Sequence, residues 1–237
     1  MFGLSRRALM GALVLGTLGL AQPALADDGH PYFGPEALDL TVLLVPPPPT
    51  DSDVAKAELA EVKALQASVS EARKQQAIAD AEEGFQPFVA TTSLAAIDPA
   101  KLPLTVALVQ RVLDTEDAVT GPAKKFFDRL RPPLVDDTIK PLAKMSKSGA
   151  YPSGHTTNGT AIAIVLSEMV PEKRAELMQR AADYAESRLI VGVHYRSDLG
   201  AGFASGALVA KELEENAAFQ KDLEAAKAEL RAALGLS

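Results

Sequence analysis

Residues 187–209 read SRLIVGVHYRSDLGAGFASGALV. Gly200, Ala201, Gly202, Ala204, Ser205, Gly206 and Ala207 form a run of small residues, and a helix so stripped of bulk packs very closely against a neighbour at the centre of a bundle. A helix is therefore expected from Ser197 to Glu214. Ahead of it the spacing is Ser187-Arg188, five residues, His194, three residues, Asp198. His and Asp four apart lie on one helical face, where the carboxylate holds one imidazole nitrogen and leaves the other as nucleophile or base. A capped surface His is the bland alternative, and the neighbouring Leu189, Ile190 and Val191 weaken it by pointing to burial.

Outward from this stretch the chain reads as helix after helix. Asp51 or Ser52 can cap a segment with Leu59, Val62, Leu65 and Val69 at helical spacing, ended by Gly84. Asp98-Pro99 offers a cap and first-turn proline for a helix carrying Leu104, Leu108, Val109, Val112 and Leu113. Gly121-Pro122 restarts the chain into a short helix with Phe126, Phe127 and Leu130, closed by Pro132-Pro133. Further helices are expected from Ser153 to Glu168 and from Pro171 to Val191, and an amphipathic one carries Phe219, Leu223, Leu230 and Leu234. No segment alternates with period two, so the fold class is all-α, a single-domain bundle of about seven helices over 51–237.

Two segments stand outside that bundle. Arg6 and Arg7 precede an apolar run from Ala8 to about Leu20, followed by Ala24-Leu25-Ala26, which reads as a signal peptide over 1–26. The run is short for a membrane span. Ser5-Arg6-Arg7-Ala8-Leu9-Met10 also resembles a twin-arginine export signal, so the expected location is periplasmic or secreted, by the Sec or twin-arginine route. Residues 27–50, ending in Pro46 to Pro49, read as a proline-rich extended leader on the surface or against the body. His30 falls there and reads as an exposed leader residue.

Composition narrows the chemistry. With 47% hydrophobic and 23% charged residues, the 237-residue chain is neither disordered nor collagen-like. It has no Cys and three His, which excludes thiol catalysis and thiolate metal sites. A net charge of −7 argues against binding nucleic acid as a polymer, yet leaves room for a local cationic pocket. Two further clusters supply such a pocket. Lys124 and Arg131-Pro132 lie about two turns apart, so both cations are expected on one face of the Pro122 helix. Alone, that pair is ordinarily a solvated surface. Tyr151-Pro152-Ser153-Gly154-His155-Thr156 opens a helix whose free N–H groups and dipole favour an anion, with Gly154 allowing close approach. Read alone, a capped helix followed by an exposed His describes it equally well.

Together, Lys124…Arg131-Pro132, Pro152-Ser153-Gly154-His155 and Ser187-Arg188…His194…Asp198 match the three-part motif of the superfamily of acid phosphatases, type 2 phosphatidic acid phosphatases and vanadium haloperoxidases. Within it the chain resembles a bacterial class A non-specific acid phosphatase. The resemblance implies that His194 attacks phosphorus to give a phosphohistidine, Asp198 supports His194, and His155 protonates the leaving group. Lys124, Arg131, Ser153, Gly154 and Arg188 would bind phosphate, with no metal or other cofactor. It further implies small phosphomonoesters as substrates, phosphotransfer to alcohols as an alternative to hydrolysis, no membrane insertion after signal cleavage, and homo-oligomers in many relatives. A haloperoxidase would be larger, with extra aromatic and His groups. A lipid phosphatase would carry transmembrane helices, and a mere phosphate-binding module would need no pair of His with Asp198.

Overall fold

The computed structural model describes residues 30–236; the signal-peptide and export-signal readings lie outside them. In chain order the helices are α1 (Leu40–Leu43), α2 (Asp53–Ser68), α3 (Glu71–Ala79), α4 (Phe85–Val89), α5 (Pro103–Phe127), α6 (Pro132–Val135), α7 (Gly154–Met169), α8 (Arg174–Ile190), α9 (Arg196–Glu214) and α10 (Ala217–Ala233). Three short 3-10 turns join them, and no strand occurs among the described residues. The all-α expectation holds.

Four local expectations are corrected. The helix expected up to Gly84 breaks earlier: Val69 turns extended, and the Ser70 hydroxyl caps α3 by accepting from the Arg73 N–H. Asp98-Pro99 opens only a 3-10 turn, so the long helix begins at Pro103. Gly121-Pro122 does not restart a helix, because α5 runs straight through Pro122. An interior proline loses a hydrogen bond and costs about 3 kcal/mol. The buried stripe Leu108, Val112, Thr115, Val119 and Ala123 continues across it without a change of phase, and packing along that stripe offsets the cost. Lys124 and Arg131 therefore do not share a helical face. The helix ends at Phe127, Asp128 takes a left-handed conformation (φ 41°), and Arg131 is the extended residue before α6.

α7 is the hub, packed against α5, α8, α9 and α10 and buried along most of its length. A helix buried all round must satisfy its own polar groups. Thr157, Thr160 and Ser167 do so by donating to the carbonyls of Ser153, Thr156 and Ala163, four residues back. The small residues of α9 permit the close approach expected of them. A Cβ on Gly202 would stand 2.8 Å from the Ser153 carbonyl oxygen, and one on Gly206 2.6 Å from that of Thr157.

The leader is anchored to the bundle. Tyr32, Leu38, Leu40 and Leu44 join the main core. The Tyr32 hydroxyl donates to Asp222 of α10 at 2.8 Å, its N–H donates to the Thr115 hydroxyl of α5, and Arg111 lies over its ring.

Candidate active site

The N-terminus of α7, the end of α8, the start of α9 and the α5–α6 connection converge on a cavity of about 170 Å³. That volume leaves room for a small anion and part of what it is attached to, and is below the several hundred Å³ of typical drug-sized sites. Lys124, Arg131, Gly154, His155, Arg188 and His194 line it, so residues distant in sequence meet here.

His194 occupies the loop before α9, one residue ahead of its N-cap Tyr195, and is 2% exposed. Asp198 is the third residue of α9. Its Oδ2 accepts from the Tyr195 N–H at 2.9 Å and lies 3.2 Å from His194 Nδ1. The expected pairing forms, but across a capping box rather than along one helical face. On the other side of the ring, Nε2 is 3.0 Å from Arg131 Nη1. A guanidinium only donates, so Nε2 is the acceptor and the ring proton sits on Nδ1 towards Asp198. Burial, then Arg131, Lys124 and Arg188, hold His194 well below the ordinary imidazole range. The side chain is a neutral imidazole with its basic nitrogen facing the cavity's cations.

Arg131 is fixed by the carbonyls of Ser148, Gly149 and Val193. Lys124 donates to the Pro152 carbonyl, from the loop that carries the cis Tyr151–Pro152 peptide. Arg188 differs from both: it is 4% exposed, yet its Nε and Nη1 have no hydrogen-bond partner. Buried donors without acceptors are costly, and these two are free to meet the acceptors of an anion. Gly154 begins α7 at the cavity wall. Ser153 is placed differently from its neighbours. It is fully buried, its hydroxyl caps α7 by accepting from the Thr156 N–H and hydroxyl, and it is not among the residues lining the cavity.

His155 stacks on Tyr184 and has an acceptor at each nitrogen, Glu83 Oε1 at 3.1 Å from Nδ1 and the Ala81 carbonyl at 3.0 Å from Nε2. Burial and then Arg188 push His155 down to about 3, while burial raises Glu83. Nε2–H donates to the Ala81 carbonyl, and Glu83 Oε1 also accepts from the Asn158 side-chain amide at 2.9 Å.

Four residues around the site carried no mark in the sequence. Arg129 donates to Asp198 Oδ1 at 2.5 Å, to Glu58 Oε2 at 2.8 Å and to the Ser197 hydroxyl, and its guanidinium lies 3.9 Å over the Tyr195 ring. Glu58 in turn accepts from the Ser197 N–H. Burial raises Asp198 to about 6, opposed chiefly by Arg129, so this buried pair keeps the carboxylate ionisable beside His194. Glu83 and Glu116 line the cavity as its acidic side. Ser187, part of the recognised spacing, turns away to donate to Asp80, which pairs with Arg180 of α8. Among the described residues no group of three or more His, Asp or Glu is placed to hold a metal ion.

Fold and site together define a helical protein that gathers buried cations around a carboxylate-backed histidine, and sequence comparisons give its family. The PAP2 superfamily model matches residues 102–213. The chain is 34% identical to the non-specific acid phosphatase of Salmonella typhimurium over 89% of this chain and 88% of that protein. It therefore belongs to the PAP2 superfamily, alongside the non-specific acid phosphatases. It is also 39% identical to an acid phosphatase of Zymomonas mobilis, in an alignment covering 58% of this chain and 53% of that one. Among solved structures, a bacterial vanadium-dependent iodoperoxidase shares the fold at a TM-score of 0.55 and 22% identity, over 73% of this chain and 52% of that one. A transmembrane PAP2-type phosphatidylglycerolphosphate phosphatase from Bacillus subtilis does so at 0.51 and 20%, over 75% and 92%. Among the described residues of the present chain, no helix is long and apolar enough to cross a membrane.

Proposed function

We propose that the protein is an exported acid phosphatase of broad specificity that hydrolyses small phosphomonoesters through a phosphohistidine, without a metal. The observation that carries this reading is the set of buried, partnerless donors of Arg188 in the same cavity as the unprotonated Nε2 of His194. Lys124, Arg131, Arg188 and the N-terminus of α7 at Gly154 supply the charge that a phosphoryl group spreads over its oxygens. Ser153 assists by capping that terminus and keeps its own O–H as a donor.

Substrate phosphate draws the Arg131 guanidinium from Nε2 and frees that lone pair. Nε2 attacks phosphorus while the ester P–O bond breaks, its electron pair passing to the leaving oxygen, which takes a proton from His155. Positive charge developing on His194 is stabilised by Asp198, held in place by Arg129. Water then attacks phosphorus and gives its proton to His155, and the N–P pair returns to His194. An alcohol in place of water makes the reaction a phosphotransfer. His155 is neutral in the free protein, so the phosphate dianion must raise its proton affinity before it can act as an acid. The signal over residues 1–26 directs the chain to the periplasm or outside the cell.

Release of phosphate from a chromogenic monoester, measured with and without a chelator, tests this reading. Turnover should survive exhaustive chelation. Loss of activity restored only by a divalent ion would contradict it.

A further inference from the structure

Glu116 is a buried titratable group that the mechanism above does not use. It projects from α5 about two turns before Lys124, hence on the same side of the helix, and is 1% exposed. Its Oε1 has no hydrogen-bond partner. Oε1 is also the nearest atom to a Cβ built on Gly154, at 3.3 Å, with Lys124 Nζ 3.7 Å from the same point. The carboxyl, the ammonium and the first turn of α7 thus meet at one wall of the cavity, which Glu116 lines. A carboxylate there works against an arriving phosphate, whereas a carboxylic acid has a proton to give it.

We propose that Glu116 is a pH-dependent phosphate ligand, donating its proton to a phosphate oxygen as the acid and opposing the anion once ionised. The groups facing it are Lys124, Asp117 and the Thr120 hydroxyl from α5, and Glu83 from the α3–α4 loop. Lys124 favours the carboxylate, while Asp117, Glu83 and above all burial favour the acid, so the carboxyl is raised well above the usual Glu range. Also lining the cavity are Arg131, Lys144, Arg188, His155 and His194; the two His and Lys124, which burial lowers to about 8, titrate as well, and the test has to separate them. The sign follows from linkage. Anion binding selects the protonated carboxyl and takes up a proton, so affinity falls as pH rises through the Glu116 ionisation, by roughly tenfold per pH unit beyond it. Acid preference then resides in phosphate binding as well as in leaving-group protonation. The inference rests on the cavity being the phosphate site.

Sulfate is a suitable probe, since it remains a dianion from mildly acid to alkaline solution and its own ionisation adds no slope. Its affinity for the full chain is measured by calorimetry across that range, with proton uptake taken from buffers of different ionisation enthalpy. The wild type should bind tightest below the Glu116 transition, at about pH 8, and above it should take up close to one proton per sulfate and weaken roughly tenfold per pH unit. Glu116→Gln keeps a donor and removes the ionisation, so it should match the wild type in acid and hold that affinity through the transition into alkaline solution, without the proton uptake. Glu116→Leu should bind more weakly in acid, again without the slope. If the wild-type slope persists in Glu116→Gln, Lys124 or the histidines carry it and the proposal fails. Loss of sulfate binding by Glu116→Gln at every pH would make the carboxyl structural and overturn the proposal too. A wild type that binds no sulfate in acid would fell the phosphate-site reading, and this one with it.

Discussion

Arg129→Met should cost more stability than any other single change at the site outside the cavity. The guanidinium stands between two carboxylates, 2.5 Å from Asp198 Oδ1 and 2.8 Å from Glu58 Oε2, with side-chain exposures of 5%, 0% and 9% for Arg129, Asp198 and Glu58. Removing one partner of a buried pair strands the other charge, at about 3–5 kcal/mol. Here two charges are stranded, so the upper end of that range is expected at neutral pH. The cost is pH-dependent. Asp198 is already raised to about 6, and Arg129 is the first influence opposing that rise, so without Arg129 its carboxyl titrates higher still. As pH falls through the new value Asp198 neutralises, and the stability deficit shrinks. The neutral acid no longer stabilises positive charge developing on His194, so activity is lost at that point. The acid limb of kcat should therefore move to higher pH in the variant, while Arg129→Lys, which keeps a charge, should lie between. Urea unfolding at two pH values, with a kcat profile, measures both effects. A deficit under about 1 kcal/mol at neutral pH, far below that expected for a buried pair, together with an unmoved acid limb would refute the reasoning.

Four further changes test the site and the packing behind it. Asp198→Asn should lower kcat by orders of magnitude and leave inhibition by phosphate nearly unchanged, because it alters the tautomer and basicity of His194 but not the cradle; a parallel collapse of phosphate binding would assign Asp198 to the scaffold. His155→Ala should slow poor leaving groups far more than good ones, since a good leaving group needs little protonation, and equal losses in steady-state kinetics would remove it as the general acid. On α9, Gly206→Ala should destabilise by about 1–3 kcal/mol through overpacking, because its Cβ would meet Thr160 Cβ at 2.5 Å and the Thr157 carbonyl at 2.6 Å. Gly200→Ala, with nothing within 4 Å, should stabilise by about 0.5–1 kcal/mol; thermal melts that rank the two the other way would contradict the close approach of α7 and α9.

What the sequence reveals and what it hides divide along physical lines. The helices of the bundle are legible because their apolar spacing is local, and the bare face of α9 announces its neighbour before that neighbour is known. Pro122 misleads because proline is a breaker only when nothing outweighs it. The stripe through Val119 and Ala123, buried beneath it, was visible in the letters but is a tertiary argument. Lys124 and Arg131 were rightly paired for the wrong geometric reason: the turn at Asp128, not a shared helical face, brings them to one cavity. Arg129, Glu58, Glu83 and Glu116 could not be singled out from the sequence. Each is an ordinary charged residue on or near an ordinary helix, and its importance comes only from burial beside a partner distant in sequence. The leader's grip on α5 and α10 through Tyr32 is hidden for the same reason.

The nucleophilic role of His194 is tested most directly by quenching the protein during turnover of a radiolabelled phosphomonoester in the presence of chelator. The neutral Nε2 facing the cations of the cavity predicts a protein-bound phosphoryl group that is acid-labile and alkali-stable, maps to the peptide containing His194, and is absent from His194→Ala. Full turnover with no trapped phosphoprotein under conditions where its breakdown is rate-limiting, or a label that persists in His194→Ala, would contradict it.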